Sequence, residues 1–96
     1  SSLDFGRLNK NQTVTKDFVI SNTGKSVLEV RSVQGNCSCI STSVNTKTLK
    51  PGESTLIKIS FNPQERVGTQ QKAVTIYSND PQNPMQRLTF TAYVED

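Results

Sequence analysis

The clearest alternation of apolar and polar positions in the chain lies within Leu49–Pro63. Pro51 and Gly52 have the residue types of a type II turn, in which proline presets φ at the second position and glycine takes the positive φ at the third. After this turn, apolar side chains occupy every second position: Ile57, Ile59 and Phe61. This period-2 pattern predicts a strand with one face against a core, and Pro63, which cannot donate to a ladder, ends it.

Six further segments show shorter strand patterns separated by turn-forming residues. Besides the strand described above, the predicted strands are 2–8, 13–21, 26–34, 40–44, 69–78 and 86–95. In the third strand Leu28 and Val30 share one face, but Val33 breaks the parity. One extra residue near Arg31-Ser32 restores it, which predicts a β-bulge. Residues 45–50 are interpreted as an irregular crossing.

Seven short strands with turn signals about every ten residues predict an all-β fold, an antiparallel seven-stranded immunoglobulin-like β-sandwich. A small closed barrel is the alternative. The chain has 96 residues, which supports a single domain, 1–96, with one core. The predicted core is Phe5, Phe18, Ile20, Leu28, Val30, Leu49, Ile57, Ile59, Phe61, Val74, Ile76, Leu88, Phe90, Ala92 and Val94.

Composition and charge exclude several classes of function. The net charge is only +3, and the basic residues are scattered among acidic ones, so we expect a solvated surface and no nucleic-acid partner. No apolar run is long enough to span a bilayer, so direct membrane insertion by this segment is not expected. The chain has no histidine and no glycine-rich phosphate loop. It is therefore predicted not to be an enzyme and to need no cofactor.

The unusual feature of the sequence is the pair Cys37 and Cys39, separated by one serine. In a tight turn their Cα atoms can reach the separation that a disulfide tolerates, and a structural bridge or an inert pair is one interpretation. A second is thiol–disulfide exchange, since a short bridge is readily reduced. A third is Cu(I) binding by two thiolates, because Cu(I) is a soft ion. The residues alone leave the three open.

Two tyrosines, Tyr77 and Tyr93, are predicted to point away from the core. Exposed aromatic rings on a sheet can stack on sugars or contact a protein partner. They are therefore candidate surface-contact residues, and carbohydrate binding is a further alternative function.

Several segments in a fixed order resemble a known family. They are Asp4-Phe5-Gly6, Phe18, Asn22-Thr23-Gly24, Leu28, Cys37-Ser38-Cys39, Leu49-Lys50-Pro51-Gly52-Glu53-Ser54, Ile57 to Phe61-Asn62-Pro63, Gly68 and Val74-Thr75-Ile76-Tyr77-Ser78-Asn79-Asp80-Pro81. Together they resemble a bacterial domain-of-unknown-function family with an immunoglobulin-like fold and a Cys-x-Cys motif. That family is similar to ASH, Hydin and major-sperm-protein domains, and more distantly to the first domain of pilus chaperones.

The resemblance implies an exported bacterial protein, in the periplasm or on the cell surface of a Gram-negative organism. Members are often lipoproteins or single modules of larger chains, so we expect 1–96 to be a segment of a longer protein. Family members usually show Cys-Gly-Cys-Thr where this chain has Cys37-Ser38-Cys39-Ile40, which weakens any role that needs the glycine backbone.

The leading functional prediction is a non-catalytic module for protein interaction or spacing, whose partner is another protein or a neighbouring domain. An exposed sheet edge, either 2–8 or 86–95, would pair with a partner's strand.

Overall fold

Eight strands form two sheets that face each other across one core in the computed structural model, which describes residues 2–96. In chain order they are β1 (Ser2–Asn9), β2 (Val14–Ser21), β3 (Leu28–Gly35), β4 (Ile40–Val44), β5 (Thr48–Leu49), β6 (Ser54–Phe61), β7 (Gly68–Ser78) and β8 (Met85–Glu95). One sheet has the order β1-β8-β7-β3-β5 and the other β2-β6-β4. No helix in the described part of the chain is long and apolar enough to cross a membrane.

The predicted all-β immunoglobulin-like sandwich is confirmed, and two separate sheets replace the closed-barrel alternative. Two details differ. The segment 45–50 contains β5, a two-residue strand that pairs with the start of β3. The fold is not wholly antiparallel, because β1 runs parallel to β8.

The position of β8 overturns one prediction. Residues 86–95 were expected at a sheet edge, but β8 lies between β1 and β7 and is paired on both sides. The first strand occupies the edge instead, as predicted for 2–8. The last strand is therefore inside the sheet, because the first strand pairs with it.

A β-bulge in β1 turns two apolar side chains to the same face. The pairing with β8 shifts register between Asp4 and Arg7, and Gly6 takes a φ of +77° there. Asp4 Oδ1 accepts a hydrogen bond from the Gly6 N–H at 2.8 Å, which fixes the local turn. Because of the extra residue, Phe5 and Leu8 are both buried although they are three positions apart. Strict alternation had left Leu8 out of the predicted core.

Two local predictions are confirmed. The pairing of β3 with β7 shifts between Val30 and Ser32, where the bulge was expected. The Glu53 N–H donates to the Lys50 carbonyl at 2.9 Å, and Gly52 has a φ of +87°, as a type II turn requires.

The centre of the core joins the two sheets through three aromatic rings. Phe5 stacks on Phe90 with ring centroids 4.4 Å apart, and Phe61 of the opposite sheet meets Phe90 edge-on at 5.7 Å. Most of the predicted core is buried, but Phe18 and Leu28 are only half-buried. Phe18 lies on β2, an edge strand with a neighbour on one side only, so less of its ring is covered.

Candidate functional site

The two cysteines lie where the chain crosses from one sheet to the other, between β3 and β4. Cys37 and Cys39 form a disulfide with an S–S distance of 2.08 Å and a Cα–Cα distance of 5.1 Å. Cys39 is 3% exposed and belongs to the core, whereas Cys37 is half-buried. The bridge thus fastens an outer residue of the crossing loop to an inner one.

Neighbouring residues hold the crossing loop in place from both sheets. Asn36 bonds twice to Ala73 of β7, its N–H donating to the carbonyl at 3.0 Å and its Oδ1 accepting from the N–H at 3.1 Å. On the side of the three-stranded sheet, Asn62 directly follows β6, and its N–H donates to the Cys39 carbonyl at 2.9 Å. Ala73 does not belong to the predicted core. It is nevertheless 3% exposed, and it lies against Asn36.

Gly35 is required by a close approach between the two ends of the crossing loop, where β3 ends and β4 begins. A Cβ at this position would lie 2.7 Å from Cγ2 and 2.8 Å from Cβ of Ile40. Ile40 is β-branched, so those atoms cannot move aside without moving β4. The absence of a side chain at Gly35 therefore sets how tightly the loop turns back into β4.

This geometry determines the chemistry open to the disulfide. An external thiolate can reach the sulfur of Cys37 more readily than that of Cys39, and attack there releases the sulfur of Cys39. The released thiolate would be an anion within an apolar core, which is unfavourable. Copper binding needs two thiolates, and the bridged form offers none. Within residues 2–96 no three His, Cys, Asp or Glu residues are grouped as a metal site.

Asn22 is a buried polar residue that links two turns. Its Nδ2 donates to the carbonyls of Ser26 at 2.8 Å and Leu49 at 2.9 Å, and its Oδ1 accepts from the Gly24 N–H at 3.0 Å. Its backbone bonds to Glu53 and Gly52, so the Asn-Thr-Gly and Pro-Gly segments meet at this one side chain. Sequence reasoning identified the turn formers but not this long-range connection.

Asn79 plays a similar part directly after the end of β7. Its Oδ1 accepts from the Glu29 N–H at 2.8 Å, and its Nδ2 donates to the Val27 carbonyl at 3.2 Å. Its own N–H donates to the Glu29 carbonyl at 3.1 Å. Within the Ser-Asn-Asp-Pro segment, Asn79 therefore fastens the end of β7 to the start of β3.

Tyr77 and Tyr93 are exposed, as predicted, but they do not form one surface. Tyr77 pairs with Met85, and Tyr93 pairs with Thr69, at opposite ends of the β7–β8 ladder. Eight residues of strand separate the two positions, or about 27 Å. The Arg7 guanidinium also lies 4.9 Å from the centroid of the Tyr93 ring. A single small sugar cannot contact both rings.

Ionisable side chains do not converge in a buried site. Within residues 3–96 the buried polar side chains are Asn22 and Thr55, and both have hydrogen-bond partners. A surface depression lies between residues 21–28 and 79–82 and is open to solvent, and among its lining side chains Lys25 and Asp80 can ionise. Such a depression lacks the enclosed apolar wall and convergent polar groups of a typical substrate pocket.

The edges of the two sheets differ in how they are protected. At β1 the edge is bent by the Gly6 bulge, and Arg7 pairs with Glu95 at 3.3 Å. Edge strand β2 carries Lys16 on its inner face, opposite Ile59. Bulges and inward-pointing charges both oppose the addition of another strand. Edge strand β4 has a regular register and no charged residue.

The comparisons agree with the fold. The profile of the DUF1573 family, described as a protein of unknown function, matches residues 1–94. A protein of unknown function from Porphyromonas gingivalis W83 is 30% identical and superposes with a TM-score of 0.88, covering 96% of this chain and 43% of that one. The human CEP192 ASH/PapD-like domain (PapD-like domain 7) superposes with a TM-score of 0.75 at 11% identity, covering 99% and 81%.

The secreted serine protease VesC from Vibrio cholerae superposes with a TM-score of 0.69 at 14% identity, covering 97% of this chain and 22% of that chain. Likeness at this level of identity shows the fold alone. The chain spans less than half of the Porphyromonas protein and less than a quarter of VesC. No curated protein matches the sequence. The predicted resemblance to an immunoglobulin-like family akin to ASH and PapD-like domains is confirmed.

Proposed function

The chain belongs to the DUF1573 family of proteins of unknown function, and we propose that it is a non-catalytic module for protein interaction or spacing. It acts as part of a longer exported bacterial protein, in the periplasm or on the surface of a Gram-negative cell. Its partner is a protein or a neighbouring domain, which pairs with an open strand edge.

One observation carries the proposal: three polar residues of the family-like segments are engaged in folding. Asp4 fixes the β1 bulge, Asn22 joins two turns, and Asn79 ties β7 to β3. Each uses its side chain on backbone groups of its own chain, which supports a structural role for these three residues rather than a catalytic one. The function is therefore assigned to the surface.

Export is supported by the Cys37–Cys39 bridge, because disulfides persist in oxidising compartments and are rare in the cytoplasm. Fractionation of cells expressing the full-length protein tests this proposal, with a thiol-alkylating reagent added at lysis to trap the redox state. We expect the protein in the envelope fraction with both cysteines protected from alkylation. A cytoplasmic protein with two alkylated cysteines would contradict it.

Site-specific photo-crosslinking in living cells tests the interaction role. A photoreactive residue replaces Ser43 beside the β4 edge, Val19 on β2, or Asn11 in the exposed turn after β1 as a control. We expect a discrete adduct from one strand position and none from Asn11. If neither strand position gives an adduct that is absent from the Asn11 control, an edge-paired interaction is wrong.

A second candidate, thiol–disulfide exchange, is favoured by the half-buried position of Cys37, which leaves one sulfur within reach of a partner thiolate. Equilibration of the purified protein with glutathione buffers gives the test. A mixed disulfide at Cys37 under mildly reducing conditions would support exchange, whereas a bridge that resists reduction until the protein unfolds would remove this candidate.

A further inference from the structure

We propose that the β4 edge binds the same edge of a second copy of this chain, which joins the two three-stranded sheets into one six-stranded sheet. The proposal rests on the interaction role above and names the partner. Four features of β4 support it: its free backbone groups, the absence of blocking devices, its sequence symmetry and its lack of charge.

The backbone groups that face outward from β4 follow from its ladder with β6. The Asn45 N–H donates to the Leu56 carbonyl, and the Asn62 N–H donates to the Cys39 carbonyl. Bonded and non-bonded pairs alternate along an antiparallel ladder, so Ser41 and Ser43 are also bonded to β6. The N–H and C=O groups of Thr42 and Val44 therefore point away from β6, at the end of the sheet.

The other edges of the molecule are less suited to a new strand. As described above, β1 is bulged and β2 carries an inward-pointing Lys16. β5 has only two residues. β4 offers five residues in regular register without charge, proline or bulge. Among the edge strands that the structure describes in residues 2–96, β4 is the one without a bulge, an inward-pointing charge or a very short length to oppose pairing.

The sequence of β4 reads almost alike in both directions: Ile40-Ser41-Thr42-Ser43-Val44. If two copies pair antiparallel about a two-fold axis at Thr42, Ile40 lies opposite Val44 of the other copy and Ser41 opposite Ser43. Pairs of β-branched residues and pairs of hydroxyl residues are favourable across strands. A two-fold contact is self-complementary by definition, and the side chains of this strand meet that requirement at every position. On the backbone, the Ile40 N–H already donates to the Cys37 carbonyl of its own chain, so the carbonyl of Ile40 is the group that remains for the Val44 N–H of the other copy.

Charge does not oppose the contact. Lys58 of β6 is the charged residue paired with β4, opposite Ser43. In the joined sheet the two copies of Lys58 would be three strand spacings apart, or roughly 14 Å. That separation exceeds the screening length of about 8 Å at physiological salt. An edge of five residues buries less surface than a stable interface of about 1,200 Å² needs, so the pairing is weak and depends on concentration.

Heterotypic cysteine cross-linking of the purified chain tests both contact and register. Ser41 and Ser43 are exposed on the outer face of β4, and each is replaced by cysteine in a separate variant, Ser41→Cys or Ser43→Cys. The proposed pairing places residue 41 of one copy opposite residue 43 of the other copy. The two variants are mixed at high concentration and oxidised. The control is a mixture of Asp17→Cys and Val19→Cys, the matched pair of positions on β2. The β4 mixture should give at least about tenfold more cross-linked dimer than this control. Mass spectrometry confirms that the Cys37–Cys39 bridge stays intact.

Two variants of Thr42 separate edge pairing from folding. Thr42→Pro removes the outward N–H while leaving the ladder to β6, and it should abolish the cross-link. Thr42→Val keeps that N–H and removes only the hydroxyl that donates to the Val33 carbonyl, so its cross-link should persist. Circular dichroism checks that both variants fold.

The self-pairing is overturned if the β4 mixture cross-links no better than the β2 mixture, or if Ser41→Cys cross-links best with itself. Such a result, together with an adduct to another protein from Ser43 in cells, would leave the interaction role standing and remove only the second copy as partner. Absence of both, together with no adduct from Val19, would remove the two proposals together.

Discussion

Replacing Asn22 with alanine tests whether the polar residues of the turn segments act in folding. The side chain is 5% exposed and makes hydrogen bonds to three backbone groups, on Ser26, Leu49 and Gly24. Alanine removes all three bonds. The carbonyl of Leu49, a residue that is 1% exposed, then loses this donor in the interior.

The expected loss of stability follows from these contacts. A typical hydrogen bond contributes a net ~1 kcal/mol, and a buried group left unsatisfied costs about 1–3 kcal/mol. Water can replace the lost hydrogen bonds to the Ser26 carbonyl and the Gly24 N–H in part, because these two residues are exposed. We therefore expect Asn22→Ala to lower the free energy of unfolding by about 3 kcal/mol, which corresponds to a Tm lower by roughly 12–24 °C in a domain of this size.

Urea and thermal unfolding followed by far-UV circular dichroism give the measurement. Asn11→Ala, an exposed asparagine in a turn, is the matched control and should change stability by less than about 0.5 kcal/mol. Asn22→Asp keeps the shape but loses both donors and places a carboxylate against two carbonyls at neutral pH. At neutral pH, Asn22→Asp should lower the free energy of unfolding at least as much as Asn22→Ala does. In acid, where the protonated carboxyl group can donate a hydrogen bond, part of that stability should return. If Asn22→Ala matched Asn11→Ala, the structural role would be refuted.

Three further changes test the loop and the bulge, each by urea unfolding. Gly35→Ala should cost about 1–3 kcal/mol because its Cβ meets Ile40, and the cost should shrink in the Ile40→Ala background, which removes the Cγ2 contact and keeps the Cβ contact; equal costs in both backgrounds would contradict the Cγ2 contact. Replacing both Cys37 and Cys39 by alanine should cost only about 2 kcal/mol, since the bridge closes a very short loop; a loss of folding would show a larger role. Gly6→Ala should cost about 1 kcal/mol through its positive φ, and Gly6→Asn less.

Local structure could be predicted from the sequence wherever one strand or one turn contained the information. The alternation in β6, the type II turn at Pro51-Gly52 and the bulge after Val30 are all visible as residue types or as a break in parity. The bulge at Gly6 has a comparable signal, two apolar residues three positions apart around a glycine, and it was missed because the strand is short.

Long-range pairing could not be predicted in the same way. That β1 pairs in parallel with β8 depends on contacts about 90 residues apart, which no local pattern records. The same holds for Asn22 and Asn79, whose side chains look like ordinary turn formers until their distant partners are known. The burial of Ala73 on the outer face likewise depends on a loop from another strand.

Amide hydrogen exchange along β4 tests the central claim, an open and regular strand edge, most directly. In dilute protein the account predicts fast exchange at Thr42 and Val44, whose N–H groups face outward, and slow exchange at Ser41 and Ser43, which bond to β6. At high concentration Thr42 and Val44 should become protected while the β2 amide of Val19 does not. Equal protection of all four β4 amides in dilute protein would contradict the open edge.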